Sequence, residues 1–280
     1  MTLLFKHLSV KIFISFSLTF LFIWGHPLQL AAQQSDAYGA GLNGSTVAIT
    51  GFWSVTGNPA GLASLQQTSF GIDYSNRFSM SQLSSKGLSA GFKTNLGTLG
   101  LNMRFFGYSA YNEIAAGIVY SKMLSKKLSV GIKLNYYRWS SGNDYEVNQN
   151  VSFDGGIQYE LSSSLLVGFS FKNPMTFFNK KVKIQPVSSN FKLGLAYYFI
   201  PELMVTTEVE KNSFSTILIF RGGMEYVYKK MFSFRTGIGT GMEIFSIGLG
   251  YNIKHLETSF AATWHTTLGL SPQISLSYHL

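Results

Sequence analysis

The residues able to do chemistry are few, and their spacing does not assemble them. Of five histidines, His7 and His26 lie in or beside an apolar leader. His255, His265 and His279 show no HxxxH, HxxE or cysteine partnership that would set two metal ligands on one element. The chain has no cysteine, which removes thiol catalysis, disulfides and cysteine metal sites. No serine stands in a GxSxG elbow or matches a His and an Asp as a triad. Gly237, Gly239 and Gly241 lack the βαβ surroundings of a nucleotide fingerprint and read as positions that ease packing where strands bend. Glu208 and Glu210 form a carboxylate pair for acid–base work, but they share one strand face with Asp73, Lys93, Arg104, Lys133, Asp154, Lys192, Arg221, Glu225 and Arg235. Mixed charges on one face pair across strands, so this set reads as a lining. The expectation is no catalytic residue, no metal and no cofactor.

The elements that carry these residues alternate with period two. From Thr68 onward apolar side chains alternate with small or polar ones, as strands with one face in lipid require. The outward rows begin with Phe70, Ile72, Tyr74, Phe78, then Leu88, Ala90, Phe92, then Leu99, Leu101, Met103, Phe105. They end with Ile274, Leu276, Tyr278, Leu280, and number fourteen in all. An even count suits a single-chain bacterial barrel. Composition agrees: 46% hydrophobic, 15% aromatic and 12% charged residues with 28 glycines is too sparsely charged for an ordinary soluble domain, where about 25% is usual. Beyond the N-terminal region no apolar run approaches the roughly 20 residues of a spanning helix. The expected fold is all-β: a fourteen-stranded antiparallel transmembrane β-barrel, preceded by an N-terminal segment that composition alone makes an ordered loop and that the resemblance below makes a plug segment.

Lys6 and Lys11 precede an apolar core from Ile12 to Trp24 and then Leu30, Ala31, Ala32, the order of a secretory signal peptide. Residues 1–32 are therefore expected to be a signal peptide, 33–67 the plug segment and 68–280 the barrel. The formal charge is +9; without the two leader lysines, 20 basic against 13 acidic residues leave +7. Its expected partners are outer-membrane lipid and anionic lipopolysaccharide, or an acidic protein surface, and not nucleic acid. Short turns such as YVYKKMF (226–232) and YNIKHL (251–256) are expected on the periplasmic side. Longer connections are expected at 138–150 and 172–190, the second carrying Phe177 and Phe178 with Lys180, Lys181 and Lys183. The final QISLSYHL reads as a C-terminal strand signal for outer-membrane assembly.

Ahead of the first strand, Tyr38 to Leu65 is glycine-rich, and Gly57, Asn58, Pro59, Ala60, Gly61 demand a tight turn. Its string Asn58, Pro59, Ala60, Gly61, Leu62, Ala63 resembles the N-terminal motif of the FadL-like outer-membrane barrels, a superfamily that includes the PorV-like proteins of type IX secretion. The resemblance implies a segment lying inside the barrel mouth and a fourteen-stranded wall in the outer membrane. It implies passage or binding of hydrophobic small molecules, with Phe52, Trp53, Phe177 and Phe178 as candidates for contact with an apolar ligand or the plug. The alternative it implies is an accessory or shuttle subunit of a larger outer-membrane secretion or assembly complex. Arg104, Glu208, Glu210, Arg221, Glu225 and Arg235 are the candidate lumen charges.

Overall fold

A computed structural model describes residues 36–141, 146–174, 187–213 and 215–280. The expected signal peptide and the pair Phe177 and Phe178 lie outside the described residues. The fourteen strands are β1 (Ser69–Asn76), β2 (Ser84–Thr94), β3 (Gly97–Tyr108), β4 (Tyr111–Met123), β5 (Leu128–Ser141), β6 (Glu146–Ser162), β7 (Leu165–Lys172), β8 (Asn190–Ile200), β9 (Leu203–Asn212), β10 (Ile219–Tyr228), β11 (Phe232–Gly239), β12 (Glu243–Ile253), β13 (Leu256–His265) and β14 (Gly269–His279). Each pairs antiparallel with its sequence neighbours, and β1 pairs with β14 from Ser69 opposite His279 to Ser75 opposite Gln273. The sheet closes, so no strand edge is left to find backbone partners in lipid.

Each expected outward row falls on one of these strands. In β1, Ile72 is 52% exposed between buried Gly71 and Asp73. Such rows would be costly against water, at about 25 cal/mol per Å² of apolar surface, but not against acyl chains. Exposed Tyr197, Phe199, Tyr226, Tyr228, Phe232, Tyr251 and Tyr278 gather near the end where β1 begins and β14 finishes, and the strand connections there are short. We call this the turn end and its opposite the loop end.

Three details differ from the sequence reading. Phe78 is not in the first row: it lies in a turn beyond β1 with φ 55, and its ring meets His265 edge-on at 5.2 Å. Leu218 precedes β10. The expected loop at 138–150 is mostly strand, since β5 and β6 stay paired out to Ser141 opposite Glu146. Polar residues mislead there because strands that rise past the lipid need no apolar face.

Candidate functional site

Residues 36–65 lie inside the barrel and run once round its wall. Helix α1 (Ala37–Gly41) touches β11 to β14, and the turn Pro59–Ser64 touches β3 to β6. Asp36 caps α1, its Oδ1 accepting from Gly39 N at 3.0 Å and its Oδ2 from Thr56 Oγ1 at 2.7 Å. Burial raises the Asp36 carboxyl above its ordinary range, against those two hydrogen bonds, which lower it.

What admits this segment is a belt of glycines on the inner face: Gly71, Gly91, Gly100, Gly131, Gly156, Gly168, Gly194, Gly223, Gly237 and Gly248, each on a different strand. A β-carbon on Gly131 would lie 2.6 Å from Ala60 N, one on Gly71 2.6 Å from the Phe52 ring, and one on Gly237 2.5 Å from the Leu42 carbonyl carbon. The four remaining strands present other small side chains. Ser121 of β4 donates to Ala60 O, Ser275 of β14 accepts from Ala37 N, Thr206 of β9 faces Gly223, and Ala261 of β13 packs on Ala37 and Ala40. Gly237 and Gly239 thus make room for Leu42 and Asn43, which corrects the reading that they ease a strand bend.

Four positions of the NPAGLA string have a physical reason. Asn58 Oδ1 accepts from Ala60 N at 3.1 Å, capping the turn that Pro59 opens, while Asn58 Nδ2 donates to Val47 O at 2.6 Å. Gly61 leaves space for Ile49 and Ser54, and its carbonyl accepts from Gly51 N at 3.0 Å. Leu62 is fully buried in one apolar cluster with Phe52, Trp53, Val55, Leu65 and Val119 of the wall. Phe52 and Trp53 are therefore core residues of the inner segment, with ring centroids 4.9 Å apart.

The candidate lumen charges all face inward, and they hold the segment as well as one another. Glu208 accepts from Thr46 N and Val47 N, both at 2.9 Å, and from Lys192 Nζ at 2.7 Å. Arg221 bonds Glu210, and Lys192 lies 3.6 Å from the same carboxylate. Arg235 Nε donates to Glu225 at 2.7 Å, Tyr38 Oη donates to Glu225 at 2.9 Å, and the Arg235 guanidinium stacks 4.1 Å over the Tyr38 ring. Arg104 meets Asp73 at 2.5 Å, and Lys133 Nζ donates to Val55 O at 3.0 Å. Glu208 and Glu210 are thus bound up in ion pairs. Among the described residues no cluster of His, Cys, Asp and Glu is placed to hold a metal.

Sequence reasoning missed a second apolar cluster. At the loop end Phe106, Ala115 and Tyr137 point into the lumen and pack with Val187, Leu83, Tyr111 and Trp139. The parity that set Arg104 and Lys133 inward also sets Phe106 and Tyr137 inward, so the signal was present. On the outer face of the same wall, Ala90 and Ala116 sit among Phe70, Leu88, Met103, Ile118 and Tyr136 and leave an apolar concavity of about 690 Å³.

Neither protein-family models nor curated proteins give a match to this sequence. Solved structures do. The CymD monoaromatic hydrocarbon channel aligns at TM-score 0.66 and 13% identity over 89% of this chain and 98% of its own. The Pseudomonas putida toluene transporter TodX aligns at 0.63 and 11% over 89% and 99%. A Pseudomonas aeruginosa FadL homologue aligns at 0.60 and 10% over 88% and 98%. At these identities the likeness shows the fold, which is that of the FadL-like outer-membrane barrels.

Proposed function

We propose that the protein sits in the outer membrane, with its turn end periplasmic, and takes up apolar small molecules through its loop end, the inner segment acting as the plug. The carrying observation is the aromatic cluster of Phe106, Tyr111, Tyr137 and Trp139 inside the mouth of the lumen. Apolar side chains turned inward there have no lipid to meet and bury one another; a compound that parts them would bury its own apolar surface at about 25 cal/mol per Å². Below them lie the ion pairs and the inner segment. The solved structures named above are consistent with this class of cargo by fold-level analogy. Among the described residues nothing in the wall or the lumen favours the secretion-subunit reading, and neither do those neighbours.

The test is accumulation of radiolabelled monoaromatic hydrocarbon and long-chain fatty acid by Gram-negative cells lacking their own such channels. Cells producing the protein accumulate one of the two faster than empty-vector cells, and Tyr137→Ala/Trp139→Ala reduces the rate several-fold at equal barrel content. Equal rates with and without the protein for both probes would overturn the proposal.

A further inference from the structure

At the turn end, Lys229 and Lys230 form the β10–β11 connection and Lys254 stands in the β12–β13 connection. A hydrogen bond from Asn252 N to Met231 O at 2.7 Å ties the first connection to the end of β12, next to the second. With Gln67, Asn252 and His279 the three lysines line an open cleft of about 430 Å³. Their backbone is unusual: φ is 52, 57 and 51 at Lys229, Lys230 and Lys254. Glycine and asparagine adopt that left-handed conformation readily, and a long side chain does so at a cost. Three ammonium groups are therefore presented at three positions where local backbone preference favours an uncharged residue.

The surroundings point to an anion. The same end carries Lys93, Lys122, Lys126 and Lys127, all exposed, against Glu160, Glu202 and Glu257. Of these, Glu257 is turned to His279 Nε2 at 3.6 Å. Lys229 rests 5.2 Å over the Tyr228 ring. Exposed Tyr228, Phe232, Tyr251 and Tyr278 lie beside the cleft, and such aromatics mark the depth of lipid headgroups. Convergent cations, amide donors and an adjoining apolar wall match a phosphate that carries acyl chains better than a free phosphate.

We propose that this cleft binds the phosphate of an anionic phospholipid headgroup, with the lipid's chains lying along the outer wall of β10 to β12. Each lysine near an anionic headgroup contributes about a fivefold preference at low ionic strength, screened as salt rises.

The experiment is native mass spectrometry of the purified barrel in mild detergent, offered equal phosphatidylglycerol and phosphatidylcholine. The comparison variant is Lys229→Asn/Lys230→Gly/Lys254→Asn, whose turn residues suit the backbone and so leave the barrel folded, checked by heat-modifiable migration. The parallel variant Lys126→Asn/Lys127→Gly removes charge from a turn outside the cleft. Wild type retaining phosphatidylglycerol over phosphatidylcholine by at least about tenfold, with that preference lost in the cleft variant and kept in the other, supports the proposal. Equal retention of the two lipids, or a preference unchanged by the cleft substitutions, overturns it. Saturable binding of inorganic phosphate without a phosphatidylglycerol preference overturns the lipid assignment and gives the cleft to a free anion.

Discussion

Adding one methyl group inside the wall should loosen the inner segment while leaving the barrel closed. In Gly131→Ala the new β-carbon would stand 2.6 Å from both Ala60 N and Pro59 O. These are backbone atoms in a capped turn, so they cannot swing aside as a side-chain tip would. Overpacking of this kind costs about 1–3 kcal/mol. The cost falls on the seated state alone, so the population of the displaced state rises roughly 5- to 150-fold. The native chain lacks cysteine, which makes Val55→Cys a clean reporter, since Val55 is fully buried beneath the segment's core. Its rate of modification by a water-soluble maleimide reads that population directly. Gly237→Ala meets Leu42 and Asn43 instead and shares no partner with Gly131, so the two effects should add to about 2–6 kcal/mol. Gly222→Ala is the control, because a β-carbon there would find nothing nearer than 3.7 Å. If Gly131→Ala labels no faster than Gly222→Ala, in protein whose heat-modifiable migration is intact, the belt does not seat the segment by steric fit.

Other consequences are testable on the same material. Asp73→Asn removes the carboxylate from a pair in which both side chains are 3% exposed, and should cost about 3–5 kcal/mol in denaturant unfolding, more than the joint replacement Asp73→Leu/Arg104→Leu. Glu208→Gln weakens the acceptor of Thr46 N, Val47 N and Lys192; a loss of about 2–3 kcal/mol is expected as faster Val55→Cys labelling with little change in barrel unfolding. Because burial raises the Asp36 carboxyl, the native state holds its proton more tightly than the unfolded chain. The group's contribution is full below its ordinary value of 3.8 and declines as pH rises through the raised one. Asp36→Asn should therefore flatten the pH dependence of segment displacement across the acidic range, and an unchanged profile would place that dependence elsewhere.

The wall was legible because lipid imposes its own alternation: Leu99, Leu101, Met103 and Phe105 could face only outward once Arg104 faced inward. The seat of the inner segment was not. Gly131, Gly156 and Gly168 read singly as weak points in strands, and their common purpose appears only when the register lays Gly131 beside Gly156 and Gly168 beside Gly194. Counting parity from Arg104 to Phe106 would have exposed the aromatic mouth, but the mixture of charged and apolar residues on one face hid it. The NPAGLA string was recognisable as a motif, while the wall positions that explain it, Gly131 of β5 and Gly156 of β6, are distant in sequence.

The path of the inner segment also bears on how the barrel closes. The seam joins the first strand to the last, separated by nearly the whole chain, and such a pairing is among the slowest to form by chance encounter. Yet α1 adheres to β11 through β14, and the turn at Pro59–Ser64, a few residues ahead of β1, adheres to β3 through β6. About thirty residues ahead of the first strand therefore bridge the two halves of the sheet, so that displacing them removes contacts on both sides of the seam at once.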